Sequence, residues 1–91
     1  MNVVKHLVIH GRVQGVGYRY SMLAEASLAG IAGWVRNRRD GTVEAMLSGD
    51  SDKVSEVIAW AHRGPPGSNV TVVEVHDAEG FFRSFEVLTA E

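Results

Sequence analysis

Cysteine is absent from the 91 residues. That excludes disulfides, thiolate nucleophiles and cysteine-ligated metal. The only two prolines are adjacent, Pro65 and Pro66, so no periodic segment elsewhere is interrupted by one. No stretch approaches the roughly 18 apolar residues of a membrane span, and Met1 to His6 lacks the apolar run of a secretory leader. A soluble, cytoplasmic protein with no membrane partner is the expectation. Charge of one sign is also scarce. Nine Lys/Arg stand against eleven Asp/Glu, a formal net charge of -2, and a general nucleic-acid binder would carry a basic excess. Any anion bound here must be held by local charge and dipoles.

What is present is ordinary globular composition, 45% apolar and 22% charged. The length fits a single domain spanning residues 1–91. Such a domain buries roughly 60–65% of the surface its unfolded chain exposes.

Residues 3–13 alternate, with Val3, Leu7, Ile9 and Val13 on one face and Val4, His6, Val8, His10 and Arg12 on the other. This is the pattern of a half-buried strand. A glycine-rich stretch follows, and residues 19–29 then carry a helical stripe of Met22, Leu23, Ala26 and Ala29, with Gly30 as its C′ residue. Residues 31–36 and 42–47 read as strands joined by a turn over Asn37-Arg38-Arg39-Asp40-Gly41, where Asp-Gly is the turn signal. A second helix is expected to start near Ser51 or Asp52, with Val54, Val57, Ile58 and Ala61 on one face, and to stop at Gly64-Pro65-Pro66-Gly67. Residues 70–76 form a fourth strand, and Phe82 to Leu88 a short fifth one at an edge. The order implies an α+β domain: a ferredoxin-like βαββαβ sandwich, with two helices on one face of an antiparallel sheet.

The segment Gly11-Arg12-Val13-Gln14-Gly15-Val16-Gly17-Tyr18-Arg19 joins strand to helix. Gly15 and Gly17 permit backbone angles that β-carbons resist, and successive amides in such a turn form a concave anion nest. The helix adds its positive end, and the guanidinium of Arg19 matches phosphate oxygens in a bidentate fork. The helix terminus contributes about 0.3–1 kcal/mol. A pair of unit charges about 4 Å apart contributes about 4 kcal/mol at an effective dielectric of about 20. Arg19 is therefore the largest single contributor, and the amides of Gln14, Gly15, Val16, Gly17, Tyr18 and Arg19 fix orientation. The loop is neither a Walker A loop, lacking Gly-Lys-Ser/Thr, nor a Rossmann fingerprint. Taken alone, it also fits a plain strand-to-helix turn beside a solvated arginine. Asn37 ends the second strand. Its amide both donates and accepts, which suits a water-holding group and equally a turn residue.

Together the two segments resemble the acylphosphatase family. Gly11, Val13, Gln14, Gly15, Val16, Tyr18 and Arg19 match its Gly-x-Val-Gln-Gly-Val-x-(Phe/Tyr)-Arg motif. Gly33, Trp34, Val35, Asn37, Gly41, Thr42 and Val43 match its Gly-Trp-Val-x-Asn-x-x-x-Gly-Thr-Val motif. The resemblance implies a hydrolase that cleaves the carboxyl–phosphate bond of small acyl phosphates. Arg19 would bind phosphate and Asn37 would position the attacking water, with no metal or other cofactor, in a monomer with a five-stranded sheet. Tyr20 and Ser21 look less typical of the family and bear on substrate contacts. Thr42 is a candidate for orienting Asn37.

The chemistry is compatible with so few groups. A carboxylate is a weak base and departs without a general acid, so no acid–base pair beside the loop is required. What remains is to hold charge and geometry for an in-line displacement. Both side chains should then line one shared pocket. His6 and His10 share a strand face but stand about 13 Å apart at strand rise, and His62 and His76 are isolated, so no metal site is expected. Trp34 and Trp60 read as packing residues, Arg36, Arg38 and Arg39 as a charged rim, and Phe81, Phe82 and Phe85 as edge-strand packing. A non-catalytic phosphate-binding module is the alternative, which the presence of Asn37 beside Arg19 disfavours. An RNA-binding domain of the same fold lacks its aromatic signature.

Overall fold

The computed structural model describes all 91 residues. The chain runs β1 (Asn2–Arg12), α1 (Tyr18–Leu28), β2 (Ala32–Asn37), β3 (Val43–Asp50), α2 (Ser51–Arg63), β4 (Asn69–Asp77) and β5 (Phe85–Val87). The sheet order is β4-β1-β3-β2-β5. β1 pairs antiparallel with both β3 and β4, and β2 pairs antiparallel with β3. This is the expected ferredoxin-like βαββαβ sandwich with a fifth strand at the edge. That fifth strand is shorter than expected and pairs parallel to β2, Gly33 with Phe85 to Val35 with Val87.

The alternation of β1 and β3 is what builds the core. Leu7 and Ile9, with Val35, Val43, Ala45 and Leu47 from the neighbouring strands, are buried against Met22 and Ala26 of α1 and Val54, Val57 and Ala61 of α2. Burying each of the Val, Leu, Ile and Met side chains contributes about 1.5–3 kcal/mol relative to exposure. Val13 lies just past the end of β1 yet stays fully buried in the same core.

Element ends differ from the periodicity by one to three residues, and each difference has a local cause. α1 closes as expected at Gly30, and the two hydrogen bonds Ile31 N–H to Ala26 O (2.8 Å) and Gly30 N–H to Ser27 O (3.2 Å) form a Schellman stop. β3 runs on to Asp50 because Ser48, Gly49 and Asp50 pair with Val4, Val3 and Asn2. The cap of α2 is therefore Asp50, not Ser51 or Asp52, its Oδ2 accepting from Asp52 N–H at 3.3 Å. Asn37, expected where the second strand meets the turn, is the last paired residue of β2, opposite Val43.

Of the aromatic expectations, Trp60 holds, whereas Trp34 and Phe81 lie outside the core. Trp60 is a core residue, its ring 5.2 Å from that of Tyr18. Trp34 instead lies on the sheet face away from the helices, with the Arg36 guanidinium 5.3 Å above its ring. Of the C-terminal phenylalanines Phe85 lies in the core, Phe82 is half-buried and Phe81 is exposed. The open sheet face carries a set of side-chain contacts to two carboxylates. His6 Nε2 is 2.7 Å and Arg36 Nε 2.7 Å from the Glu44 carboxylate, and His10 Nε2 is 2.5 Å and His76 Nε2 3.4 Å from that of Glu74. His76 is thus not isolated, because register places it directly opposite His6 with ring centres 6.3 Å apart.

Candidate active site

β1 delivers the chain to the loop at one end of the sheet. Antiparallel pairing brings the β2–β3 hairpin to that same end, since Val43 pairs with both Ile9 and Asn37. The loop from Val13 to Gly17 contains two left-handed residues, Gly15 (φ 76°) and Gly17 (φ 79°). Nothing stands within 4 Å of where a β-carbon would project at either. Glycine is needed there for the backbone angle and not for space. Gly17 is the N-cap of α1, with no side chain capping the helix, and the first intrahelical bond is Ser21 N–H to Gly17 O at 3.0 Å.

The donors of this segment are consequently free. No protein acceptor is bonded to the amides of Gln14, Gly15, Val16 or Gly17, and the amides of the first helical turn have no intrahelical partner by construction. Arg19 is half-buried and takes part in no ion pair. Its guanidinium lies 5.8 Å from the ring centre of exposed Tyr20. A nest of unpaired amides, a helix N-terminus and an uncommitted guanidinium on consecutive residues form a cradle suited to a tetrahedral anion.

The side chains of the loop have other work. Tyr18 is 1% exposed, and its hydroxyl donates to Ala61 O at 2.8 Å, satisfying a carbonyl of the last turn of α2. Burial pushes its phenol well above the ordinary range. Tyr18 can therefore offer a ligand only its backbone amide. Val16 packs against the core. Gln14 Nε2 donates to Arg38 O at 2.8 Å and Thr42 O at 2.9 Å, which uses both of its hydrogens.

The hairpin is braced from within. Arg38 N–H donates to Thr42 O (2.9 Å) and Gly41 N–H to Arg38 O (3.2 Å), closing a three-residue loop with left-handed Gly41 at its end. No hydrogen bond joins Thr42, expected to orient Asn37, to that residue. The Thr42 hydroxyl donates to Asp40 Oδ1 at 2.6 Å, and its amide to the same oxygen at 3.0 Å. These bonds, the hydroxyl's first, hold the Asp40 carboxyl below its usual value. Asp40 was not singled out by the sequence beyond its turn signal, although the Asp-x-Thr spacing is that of an Asx-type turn. Asn37 is half-buried, and its Oδ1 is buried with no protein donor. Its main-chain oxygen accepts from Glu91 N–H at 3.1 Å.

The expected shared pocket is not a cavity. The three concavities of the molecule lie elsewhere, two beside Trp60 and the helices and one around Asn2 and Phe81, and neither Arg19 nor Asn37 lines any of them. The loop opens directly to solvent because its glycines carry no walls. No cluster of three or more His, Asp or Glu residues is close enough to hold a metal ion.

Comparison with known proteins gives this arrangement a family. Residues 5–87 match the acylphosphatase family model. The acylphosphatase of Thermococcus kodakarensis is 60% identical over 70 residues, 77% of each chain. The crystal structure of acylphosphatase from Bacillus subtilis superposes with a TM-score of 0.91 at 33% identity, covering 97% of this chain and 99% of that one. An acylphosphatase structure from Coxiella burnetii gives 0.92 at 30% identity, over 96% and 93% of the two chains. With both motifs inside a match that spans nearly all of its length, the chain belongs to the acylphosphatase family and is an enzyme that hydrolyses acyl phosphates.

Proposed function

We propose that the phosphoryl group of a small acyl phosphate is held by Arg19 and the amides of Gln14 to Arg19, while Asn37 aims the water that attacks it. The observation that carries this reading is the run of unpaired amides leading into an uncommitted arginine. Several free main-chain donors in succession, leading from a strand into a helix N-terminus, suit an anion.

In the reaction the water oxygen attacks phosphorus and the bond from phosphorus to the acyl oxygen breaks. The carboxylate leaves with that electron pair, and the water's proton passes to a phosphoryl oxygen. No protein group changes protonation state. The unpaired Oδ1 of Asn37 supports a role as acceptor for the water, because an unsatisfied buried carbonyl costs about 1–3 kcal/mol and is kept where a donor arrives with the ligand. The amide's two donors can meet the developing negative charge. The open cradle suits acyl groups of varied size. The reading includes a monomeric enzyme that needs no metal and acts in the cytoplasm.

Hydrolysis of benzoyl phosphate is the test. Arg19→Gln is expected to lose phosphate binding and turnover together. Asn37→Ala is expected to keep phosphate inhibition while kcat falls on the order of 10²-fold or more, as when an oxyanion donor is removed. Undiminished turnover in Asn37→Ala removes that residue from the mechanism. Activity should survive a chelator; a loss restored by added metal contradicts the metal-free part of the reading.

A further inference from the structure

We infer that the carboxamide of Gln14 is a positioning residue for Asn37, setting the distance between the anion cradle and the water-holding group. The inference rests on the roles proposed above for Arg19 and Asn37.

Gln14 lies two residues past the end of β1, within the run of free amides. Its own backbone N–H belongs to the cradle, while its side chain points the other way, into the base of the β2–β3 hairpin. One amide hydrogen goes to Arg38 O at 2.8 Å and the other to Thr42 O at 2.9 Å. Those two carbonyls stand on opposite legs of the hairpin, each one residue inside the last β2–β3 pair, Asn37 opposite Val43. A single planar nitrogen thus clips both legs immediately beside Asn37. It does so from the residue whose Cα fixes the start of the cradle.

No other side-chain hydrogen bond or ion pair joins residues 13–20 to residues 37–43. The other hydrogen bonds and the one ion pair of the turn residues 38–42 are internal or lead to Glu91. The sheet alone places Asn37 and the loop at the same end. The Gln14 clip fixes how far apart they sit. Misplacing a reacting group by about 1 Å costs about 10²-fold in rate, so two hydrogen bonds at this point have leverage beyond their contribution to stability. Both donors being spent, the carboxamide has none left for a phosphoryl oxygen.

The test is a double-mutant cycle on benzoyl phosphate hydrolysis, with competitive inhibition by inorganic phosphate measured alongside. Gln14→Met keeps length and approximate volume but donates nothing. In the wild-type background kcat should fall roughly tenfold to a hundredfold, with the phosphate inhibition constant changed less than about twofold. In the Asn37→Ala background the same substitution should lower kcat less than about twofold, because the group it positions is gone. An equal fold-loss in both backgrounds, a weakened phosphate inhibition or an unchanged kcat overturns the inference. Undiminished turnover in Asn37→Ala alone overturns instead the reading on which it rests. Gln14→Glu supplies a second readout should Gln14→Met fold poorly. Its carboxylate would face two carbonyls, so kcat should recover as pH falls and the acid gains a proton to donate. A pH profile parallel to wild type counts against the clip.

Discussion

At the scale of single residues, the family motif mixes two kinds of position. Tyr18 and Arg19 are neighbours in the first motif, yet the structure sends one side chain into the core and leaves the other free. Helical geometry explains the division, since consecutive residues point about 100° apart. Tyr18→Phe should therefore act on stability and not on the substrate. It leaves Ala61 O without a donor, costing about 1–3 kcal/mol, and each 1 kcal/mol lowers Tm by about 4–8 °C in a domain of this size. Thermal unfolding should show that drop while KM for benzoyl phosphate stays within about twofold. A large rise in KM would place the phenol in the site.

At the scale of elements, the site is a loop and a hairpin held together by polar contacts, not by a cavity. Asp40 braces the hairpin by accepting from both the hydroxyl and the amide of Thr42. Asp40→Ala should free the Thr42 hydroxyl, lowering Tm by a few degrees and kcat by a smaller factor than Asn37→Ala, with phosphate inhibition preserved. Equal losses in the two variants would mean that the turn itself, and not Asn37, carries the chemistry. Much of this end of the molecule was legible in the sequence: the helix stripe at Met22 and Ala26, the glycines of the loop, and Arg19 with Asn37 in their motifs. The element ends were less so, because Asp50 becomes both the last residue of β3 and the cap of α2 only once β1 pairs alongside it. Trp34 was misplaced because its motif marks a position but not the face it occupies. The Gln14 bonds span 24 and 28 residues, and no local pattern encodes a contact of that range.

At the scale of the whole molecule, the sheet face away from the helices sets Glu44 and Glu74 among apolar side chains such as Val8, Trp34 and Met46. Burial disfavours ionisation of Glu44, but hydrogen bonds from His6 and Arg36 outweigh it and hold its carboxyl below the ordinary value. Glu74 is lowered by hydrogen bonds from His10 and His76, and Asp77 by its bond and ion pair with Lys5. Asp40 is lowered in the same direction. A carboxyl whose native pKa is depressed stabilises the fold above its unfolded value, about 4, and loses that contribution as pH falls through the native value. From these carboxyls Tm should thus decline as pH falls below about 4. Glu44→Gln should shallow that decline, because the side chain, 13% exposed, then has no proton to gain. An acid transition identical in Glu44→Gln and wild type would assign the loss to the other carboxylates.

The measurement that bears most directly on the account is a titration of the uniformly 15N-labelled protein with inorganic phosphate, followed by amide chemical shifts. The cradle predicts saturable shifts concentrated on Gln14 through Arg19, abolished in Arg19→Gln and retained in Asn37→Ala. Saturable shifts centred on another surface, with those amides unmoved, would contradict it.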